Sequence, residues 1–147
     1  MLDLRTWNAG ATWRDAYGDQ LDGCLFFAED AFGCPFCLEG ESVQRCDPET
    51  GLRTPMASSL EDWASQLLVD WRNLTAQPLA HDWQVEHGAL KAGHRLAPKL
   101  PFVLGGEFTV ENLYEAEQVG LMRFRGSLAR QIRDVPDGAK VTLTLAD

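Results

Sequence analysis

Residues 23–51 read GCLFFAEDAFGCPFCLEGESVQRCDPETG, and the fold class follows from this segment. Short apolar runs alternate with turn residues, a pattern that predicts three strands, over residues 23–30, 34–39 and 43–46. The turns between them are Ala31-Phe-Gly33 and Gly40-Glu41, and Asp47-Pro-Glu-Thr-Gly51 is a strong turn signal after the third strand. A fourth strand near residues 52–56 is weakened by Pro55. The segment therefore predicts an antiparallel meander.

Helical sequence follows the meander. Ser58 and Glu61 form a capping box, in which each side chain satisfies a backbone N–H at the start of a helix. One apolar stripe then recurs at helical spacing, made of Leu60, Trp63, Ala64, Leu67, Leu68 and Trp71. A second helix is expected from about Pro78 to His87, with Gly88 as its stop.

The flanking sequence is less regular. Residues 1–22 are interpreted as a polar lead-in with one short helix, in which Trp13 and Tyr17 lie four apart before Gly18. Residues 90–101 are expected to be irregular because of Pro98 and Pro101. The remaining predicted elements are strands over 102–104, 107–110 and 112–116, a helix over 127–134 capped by Ser127, and a last strand over 140–145.

Strands first, helices in the middle and strands later indicate an α+β fold. The expected architecture is a single domain over residues 1–147, with a mainly antiparallel sheet packed by helices. A chain of 147 residues can bury roughly 70% of its unfolded surface in one core. No apolar run approaches the roughly 20 residues of a membrane span, and the N-terminus lacks the pattern of a signal peptide, so a cytoplasmic location is expected.

The chain is acidic, with 22 Asp and Glu against 13 Lys and Arg and a net charge of −9. The first 50 residues alone carry ten acids and three bases. This balance argues against direct nucleic-acid binding, which needs clustered Lys and Arg. An acidic face could instead attract and orient a basic protein partner. Ordinary solubility is the other interpretation of the same charge.

Four cysteines fall within one 23-residue stretch: Cys24, Cys34, Cys37 and Cys46. Such a group can form a zinc site, two disulfides or a redox motif, or it can supply small buried side chains to a sheet. A four-thiolate zinc site usually has two short C-x2-C turns, and this chain has one. The Cys34-Pro-Phe-Cys37 piece lies in strand-forming sequence, whereas a redox motif opens a helix. Buried side chains are the favoured interpretation.

No group of residues predicts catalysis. The three histidines, His81, His87 and His94, lack the spacing of a metal-binding pair on one helix face and are expected at the surface or at caps. Glu29-Asp30 is an adjacent carboxylate pair, but neighbouring strand residues face opposite ways. A solvated strand end is therefore expected there rather than a general acid–base pair. Gly105-Gly106 is interpreted as a turn.

Five segments together resemble the SUKH superfamily, which includes a yeast cell-wall regulator and many bacterial immunity proteins. They are Leu25-Phe-Phe-Ala-Glu-Asp-Ala-Phe-Gly33, Cys46-Asp-Pro-Glu-Thr-Gly51, Pro78-Leu-Ala-His-Asp-Trp83, residues 98–108 (PKLPFVLGGEF) and residues 122–138 (MRFRGSLARQIRDVPDG). The similarity spans roughly residues 6–145. Longer relatives begin with helical sequence before the position of Trp7, so the resemblance predicts a shortened member.

The resemblance implies an α+β fold and a non-catalytic role, since the family has no shared catalytic residues and no known metal site at Cys34 and Cys37. Bacterial members bind and neutralise a cognate toxin, often a nuclease, whose active cleft is basic. No cofactor and no membrane contact are expected. The acidic residues predicted to contact the toxin are Asp15, Asp19, Asp22, Glu39, Glu41 and Glu49; each could equally be a solvated loop or turn position. A protein-interaction scaffold without a toxin partner is the alternative function, followed by a zinc-binding module that uses the cysteines.

Overall fold

The computed structural model describes residues 2–144. Within them, an antiparallel sheet has the strand order β1-β2-β3-β4, and a separate antiparallel pair joins β5 to β6. The strands are β1 Leu25–Glu29, β2 Pro35–Glu39, β3 Ser42–Cys46, β4 Arg53–Ala57, β5 His94–Pro98 and β6 Leu113–Glu117. The helices are α1 Leu4–Asn8, α2 Leu60–Leu74, α3 Gln77–His87 and α4 Gln118–Ile132, with 3-10 turns at Arg14–Tyr17, Phe102–Leu104 and Val110–Asn112. The predicted α+β class is confirmed.

The predicted meander is also confirmed, including its fourth strand. Leu25 pairs with Leu38 across β1 and β2, and Glu39 pairs with Ser42 across the tight turn to β3. Pro55 pairs with Gln44 in β4. A strand containing proline is tolerated here because β4 lies at the edge of the sheet, where one row of backbone donors has no neighbour in the sheet.

The N-terminal segment is part of the core, so its interpretation as a polar lead-in is wrong. Trp13, Tyr17 and Leu21 are each no more than 2% exposed. The Trp13 ring lies 5.1 Å from the Phe26 ring of β1 and 5.7 Å from the Tyr17 ring, in edge-on arrangements. The segment contains the short helix α1 and a 3-10 turn that ends at Gly18. Among its polar residues, the segment has four large side chains that belong to one hydrophobic cluster: Trp7, Trp13, Tyr17 and Leu21.

Helix α4 begins nine residues before the predicted start. The carboxylate of Glu117 caps it by accepting hydrogen bonds from the backbone N–H groups of Val119 and Gly120, so Ser127 lies inside the helix and is not its N-cap. Two glycines lower the helix propensity of this segment, which explains the error. One of them, Gly126, lies against the 3-10 turn: a Cβ there would be 2.6 Å from Ala16 Cβ.

Helix α2 is present, but its apolar stripe is not a buried face. Its N-cap is Ser59, whose hydroxyl accepts from Asp62 N, rather than Ser58. No residue of α2 is buried, and Leu68 is 84% exposed. Trp63 packs edge-on against Phe27 at 5.0 Å between ring centroids. Helix α3 agrees with the prediction and ends at Gly88.

The later segments depart most from expectation. Residues 94–98 form β5 and pair with β6, so the region 90–101 is not irregular throughout. Phe102–Leu104 is a 3-10 turn rather than a strand, residues 107–110 form no strand, and residues 140–144 form none either. Leu145, the predicted end of the last strand, lies outside the described residues. Local proline and glycine signals could not reveal that residues 94–98 and 113–117 pair across a long connection.

Two hydrophobic clusters hold the fold together. The first joins Trp7, Trp13 and Phe26 to Met122 and Ala129 of α4. The second packs α3 on the two-stranded sheet and contains Phe32, Ala80, Trp83, Leu96 and Leu113. The Leu96 N–H donates a 2.9 Å hydrogen bond to the Ala31 carbonyl, which ties β5 to the turn between β1 and β2. None of the helices in residues 2–144 has both the length and the apolarity needed to cross a bilayer.

Candidate functional site

Three of the predicted acidic contact residues, Asp22, Glu39 and Glu41, lie at one end of the four-stranded sheet, and a fourth, Asp19, pairs with Arg133 beside the groove that Glu39 lines. We call this group, Asp19, Asp22, Glu39 and Glu41, the acidic end. The start of β1 lies beside the finish of β2, because Leu25 pairs with Leu38. Asp22 comes just before β1, Glu39 closes β2, and Glu41 lies in the turn that follows. All four residues are exposed.

Two arginines lie next to the acidic end. Arg53 Nη1 is 3.4 Å from Glu39 Oε2, and Arg133 Nη1 is 3.5 Å from Asp19 Oδ1. The Asp19 side chain is 80% exposed, and such surface pairs contribute little to stability. Glu39, Arg53 and Arg133 also line one open groove of about 1140 Å³. Four carboxylates against two guanidinium groups leave this end of the molecule negative.

Asp15 is not part of this group. It lies in the 3-10 turn that packs against α4 and lines a separate groove of about 770 Å³, together with Arg123 and Arg130. Asp15 is exposed, but two guanidinium groups share its groove. A partner that contacts Asp15 would therefore meet a different local charge from one that contacts the acidic end.

Glu49 is buried, which removes it from the predicted surface set. The residue is 4% exposed, and its two carboxylate oxygens accept hydrogen bonds from the backbone N–H groups of Phe102, at 3.2 Å, and Val103, at 2.7 Å. Burial raises the pKa of the Glu49 carboxyl, and the two backbone donors act in the opposite direction. Glu49 fixes the 3-10 turn at Phe102–Leu104 to the turn after β3. The turn-forming sequence at residues 47–51 predicts an exposed side chain and gives no indication of this structural role.

Asp30 is also buried, so the expectation of a solvated strand end is wrong for this residue. Its side chain is 0% exposed. Oδ1 accepts from Phe32 N at 2.9 Å and from Cys34 N at 3.0 Å, and Oδ2 accepts from Arg45 Nη2 at 3.0 Å. Burial raises the pKa of the carboxyl despite these donors. Asp30 shapes the turn between β1 and β2.

The neighbouring carboxylate, Glu29, has a different partner. Its Oε1 pairs with Arg95 of β5, while Oε2 is buried and accepts no hydrogen bond from the residues described. Burial raises the pKa of Glu29, and the guanidinium of Arg95 opposes that effect. Glu29 and Asp30 therefore form two separate structural ion pairs. The first joins β1 to Arg95 of β5, and the second joins the turn after β1 to Arg45 of β3.

Arg125 is a buried cation that the sequence analysis did not single out. It is 2% exposed and donates from Nη1 to the Phe32 carbonyl at 2.6 Å. A signal was present: Arg125 follows Leu121 by four residues and precedes Ala129 by four, so it occupies a position on the apolar face of α4. Recognising it required the correct start of the helix.

The cysteines mainly fill the core, as the favoured interpretation predicted. Cys24, Cys37 and Cys46 are buried, Cys34 is half-buried, and all four are free thiols. Burial raises the pKa of Cys34 and of Cys37 to about 12, and it raises that of Cys46. Thiolate is the form that binds metal or attacks disulfides, and these surroundings disfavour it. Cys24 is distinct, because Arg53 Nη1 lies 2.6 Å from its sulfur.

The histidines have local partners. His87 stacks on Trp83 with 4.5 Å between ring centroids, and its Nδ1 lies 3.0 Å from the Trp83 carbonyl oxygen. His94 Nδ1 lies 3.1 Å from the Ala92 carbonyl oxygen. His81 is exposed on α3. Over residues 2–144, no group of three or more His, Cys, Asp or Glu side chains is arranged to hold a metal ion.

Comparison of the chain with protein-family models, with curated proteins and with solved structures gives no match.

Proposed function

We propose that the chain is a non-catalytic, immunity-type protein of the SUKH superfamily that binds a basic bacterial toxin in the cytoplasm and neutralises it. The observation that carries this proposal is the acidic end, whose four carboxylates are exposed around one end of the four-stranded sheet and the groove beside it. A nuclease is the preferred toxin class, because an enzyme that holds a polyanionic substrate has a basic cleft. The chain would cover such a cleft and exclude the nucleic acid.

The physical properties of the acidic end suit this role. Like-charged side chains at one end of a molecule attract an oppositely charged partner over several ångströms and raise the rate of association. The backbone of Glu39 is fixed by its pairing with Ser42 between β2 and β3, so binding a partner costs little conformational entropy at this residue. Leu52, which is 68% exposed, lines the adjoining groove and offers apolar contact area beside the charges.

The resemblance to SUKH proteins supports the same assignment. It implies an α+β fold with an antiparallel sheet, and the meander from β1 to β4 agrees with that expectation. It also implies a stoichiometric binding protein rather than an enzyme. Family membership and the toxin partner are parts of one proposal, and the experiment below tests the partner directly.

A scaffold that binds proteins without neutralising a toxin is the second candidate. Exposed apolar side chains on α2 favour a scaffold, because monomeric soluble proteins rarely expose several large apolar side chains next to one another. Leu68 is 84%, Val69 88% and Trp71 45% exposed. A scaffold would bind through apolar area, so its association would depend little on salt.

The test begins with capture of partners from source-cell lysate on the tagged chain, from low to high salt. A captured partner is then produced separately, and its association rate with the chain is measured over a salt series. We expect a near-stoichiometric basic protein with a nuclease-like sequence. Asp22→Lys combined with Glu41→Lys should slow association at low salt by about tenfold and flatten its salt dependence. Neither of these two carboxylates forms an ion pair within residues 2–144.

The matched control is Asp82→Lys combined with Glu86→Lys, which makes the same change in net charge on the exposed side of α3. This variant should keep most of the association rate. Expression of the partner in cells should arrest growth, and co-expression of the chain should restore it. Equal rates for both double variants at every salt concentration would contradict the role of the acidic end. A partner that binds but is not toxic would favour the scaffold.

A further inference from the structure

A cavity of about 470 Å³ lies between the β3–β4 part of the four-stranded sheet and the helices α3 and α4. Its walls come from the turn after β1, from β3 and the turn that follows it, from the start of α3, from the 3-10 turn at Phe102–Leu104 and from α4. The volume is in the range of small-molecule binding sites. The acidic end does not line this cavity, so its properties are independent of the proposed function.

Arg125 contributes a guanidinium group to this cavity. The residue is 2% exposed, and its one hydrogen bond within residues 2–144 is the 2.6 Å contact from Nη1 to the Phe32 carbonyl. No carboxylate of the described residues lies within 4 Å of it. A guanidinium has five N–H donors, and a buried cation is costly unless it is paired. The other donors of Arg125 are therefore available to a ligand.

Two of the three carboxylates around the cavity, those of Asp30 and Glu49, are already satisfied. Asp30 accepts two backbone hydrogen bonds and one from Arg45, and Glu49 accepts two backbone hydrogen bonds. Rotation of either side chain towards Arg125 would leave buried backbone donors without a partner, which is unfavourable. The guanidinium of Arg125 is therefore not paired with the nearby carboxylates of Asp30 and Glu49.

Apolar side chains form much of the remaining wall. Phe102 and Phe108 stack with 4.1 Å between ring centroids, and Leu79 and Ala76 of the α3 region line the same space. Phe108 is 72% exposed, so this large ring is available to cover or release a ligand. An apolar wall next to one unpaired guanidinium suits a molecule with an apolar body and one acidic group.

We propose that this cavity binds a monocarboxylate with an apolar, ring-sized body, whose carboxylate pairs with Arg125. Asp30, Asp47 and Glu49 also line the cavity, so a doubly charged phosphate would be repelled more strongly than a single carboxylate, which can form a bidentate pair with one guanidinium. Two sources offer this chemistry: a free aromatic or branched aliphatic acid, and the C-terminal carboxylate of a peptide that ends in an apolar residue.

The test uses 3-phenylpropanoate, its neutral amide, and a hexapeptide ending in Phe with either a free or an amidated C-terminus. Binding is measured by calorimetry and by amide shifts in ¹⁵N-labelled protein. The two acids should bind with one-to-one saturation and shift the signals of Phe32, Val103 and Arg125. Each should bind at least about tenfold more tightly than its amide, because the charge-assisted pair is lost in the amide. A tighter peptide would identify a chain terminus as the source, and a tighter free acid a small molecule.

Two substitutions separate the site from general stability. Arg125→Met keeps an unbranched apolar stem, removes the guanidinium group and should abolish the preference for acid over amide. Phe108→Ala changes an exposed ring and should weaken binding of the acid severalfold while the protein stays folded. Phe124→Ala, on the exposed face of α4, is the control and should bind like the wild type. If Arg125→Met does not fold, the proposal is tested by the difference in affinity between acid and amide and by the binding of the acid to Phe108→Ala. Equal binding of acid and amide, no saturable shift, or an unchanged acid affinity in a folded Arg125→Met protein would overturn the proposal.

Discussion

Arg125 donates a 2.6 Å hydrogen bond to the carbonyl of Phe32, a residue 93 positions earlier in the chain. The helix that carries Arg125 contributes Met122 and Ala129 to one hydrophobic cluster, whereas Phe32 belongs to the other. This one contact therefore connects the two clusters by a polar link. Gly33 is adjacent to it, and a Cβ at Gly33 would lie 3.2 Å from Arg125 Nη1.

Gly126→Ala should destabilise the protein, although alanine is the better helix former. The added Cβ would lie 2.6 Å from Ala16 Cβ and 2.9 Å from the Ala16 carbonyl carbon, so α4 and the 3-10 turn would have to separate. We expect the free energy of unfolding to fall by about 1–3 kcal/mol, as in other overpacked cores. Urea denaturation measures this change.

Gly120→Ala is the control for that prediction. It lies in the same helix, and its added Cβ would have only Glu117 Oε2 nearby, at 3.4 Å. Helix propensity should therefore dominate, so the free energy of unfolding should stay the same or rise by up to about 1 kcal/mol. Equal destabilisation by both alanines would show that close packing at Gly126 is not the cause.

Glu49→Gln should destabilise the fold rather than change a protein interface. The amide has one acceptor oxygen where the carboxylate has two, and its NH₂ group would face a backbone donor of Phe102 or Val103. The expected loss in free energy of unfolding is about 1–3 kcal/mol. Glu41→Gln, at an exposed turn, should stay within about 0.5 kcal/mol of the wild type. A near-neutral result for Glu49→Gln would contradict this role for the carboxylate.

Glu29 should make stability depend on pH in an identifiable direction. Burial raises its pKa above the ordinary value of 4.5, so the folded chain binds this proton more readily than the unfolded chain. Wild-type stability should therefore gain, relative to Glu29→Gln, as the pH falls through the raised pKa, and the gain should be complete below about 4.5. Denaturant titrations of both proteins from pH 8 to pH 4.5 give the difference. A difference that stays constant with pH, or shrinks as the pH falls, would refute the raised pKa.

The buried thiols should resist alkylation in the native state. With a pKa of about 12, Cys34 and Cys37 hold roughly a thousandfold less thiolate at pH 8 than a thiol with the ordinary value of 9.0. Native protein treated with iodoacetamide should leave these two cysteines unmodified, as read by mass spectrometry of peptides. In guanidinium chloride all four cysteines should react. Rapid native modification of Cys37 would show that β2 opens readily.

The sheet could be predicted from the sequence because its information is local. Each turn of the meander is marked by glycine, proline or acidic residues between short apolar runs, and neighbouring strands are consecutive in the chain. The pairing of β5 with β6 carries no such mark. It depends on a connection that includes two 3-10 turns, one of which is held by the distant carboxylate of Glu49.

The candidate site divides in the same way. The exposed acids at positions 19, 22, 39 and 41 could be named from charge, and the meander indicates that the last three share a sheet end. The burial of Asp30 and Glu49 could not be predicted from the sequence, since residue type predicts exposure for each, and the burial of Arg125 could be predicted only with the correct start of α4. Glu49 and Arg125 form their side-chain hydrogen bonds with residues 53 positions or more away, whereas Asp30 accepts two of its three from the turn that follows it.

The packing of Trp7 and Trp13 with α4 also determines when this protein can finish folding during its synthesis. These rings leave the ribosome before α4, and their cluster includes Met122 and Ala129, which are made more than 100 residues later. At about 5–20 residues per second, the two tryptophans lack part of their covering for roughly 5–25 seconds on every nascent chain. The β1–β4 meander can form in that interval, so the sheet can be complete while the N-terminal aromatic residues are still partly uncovered. Chaperone dependence of the nascent chain should therefore be greatest before α4 emerges.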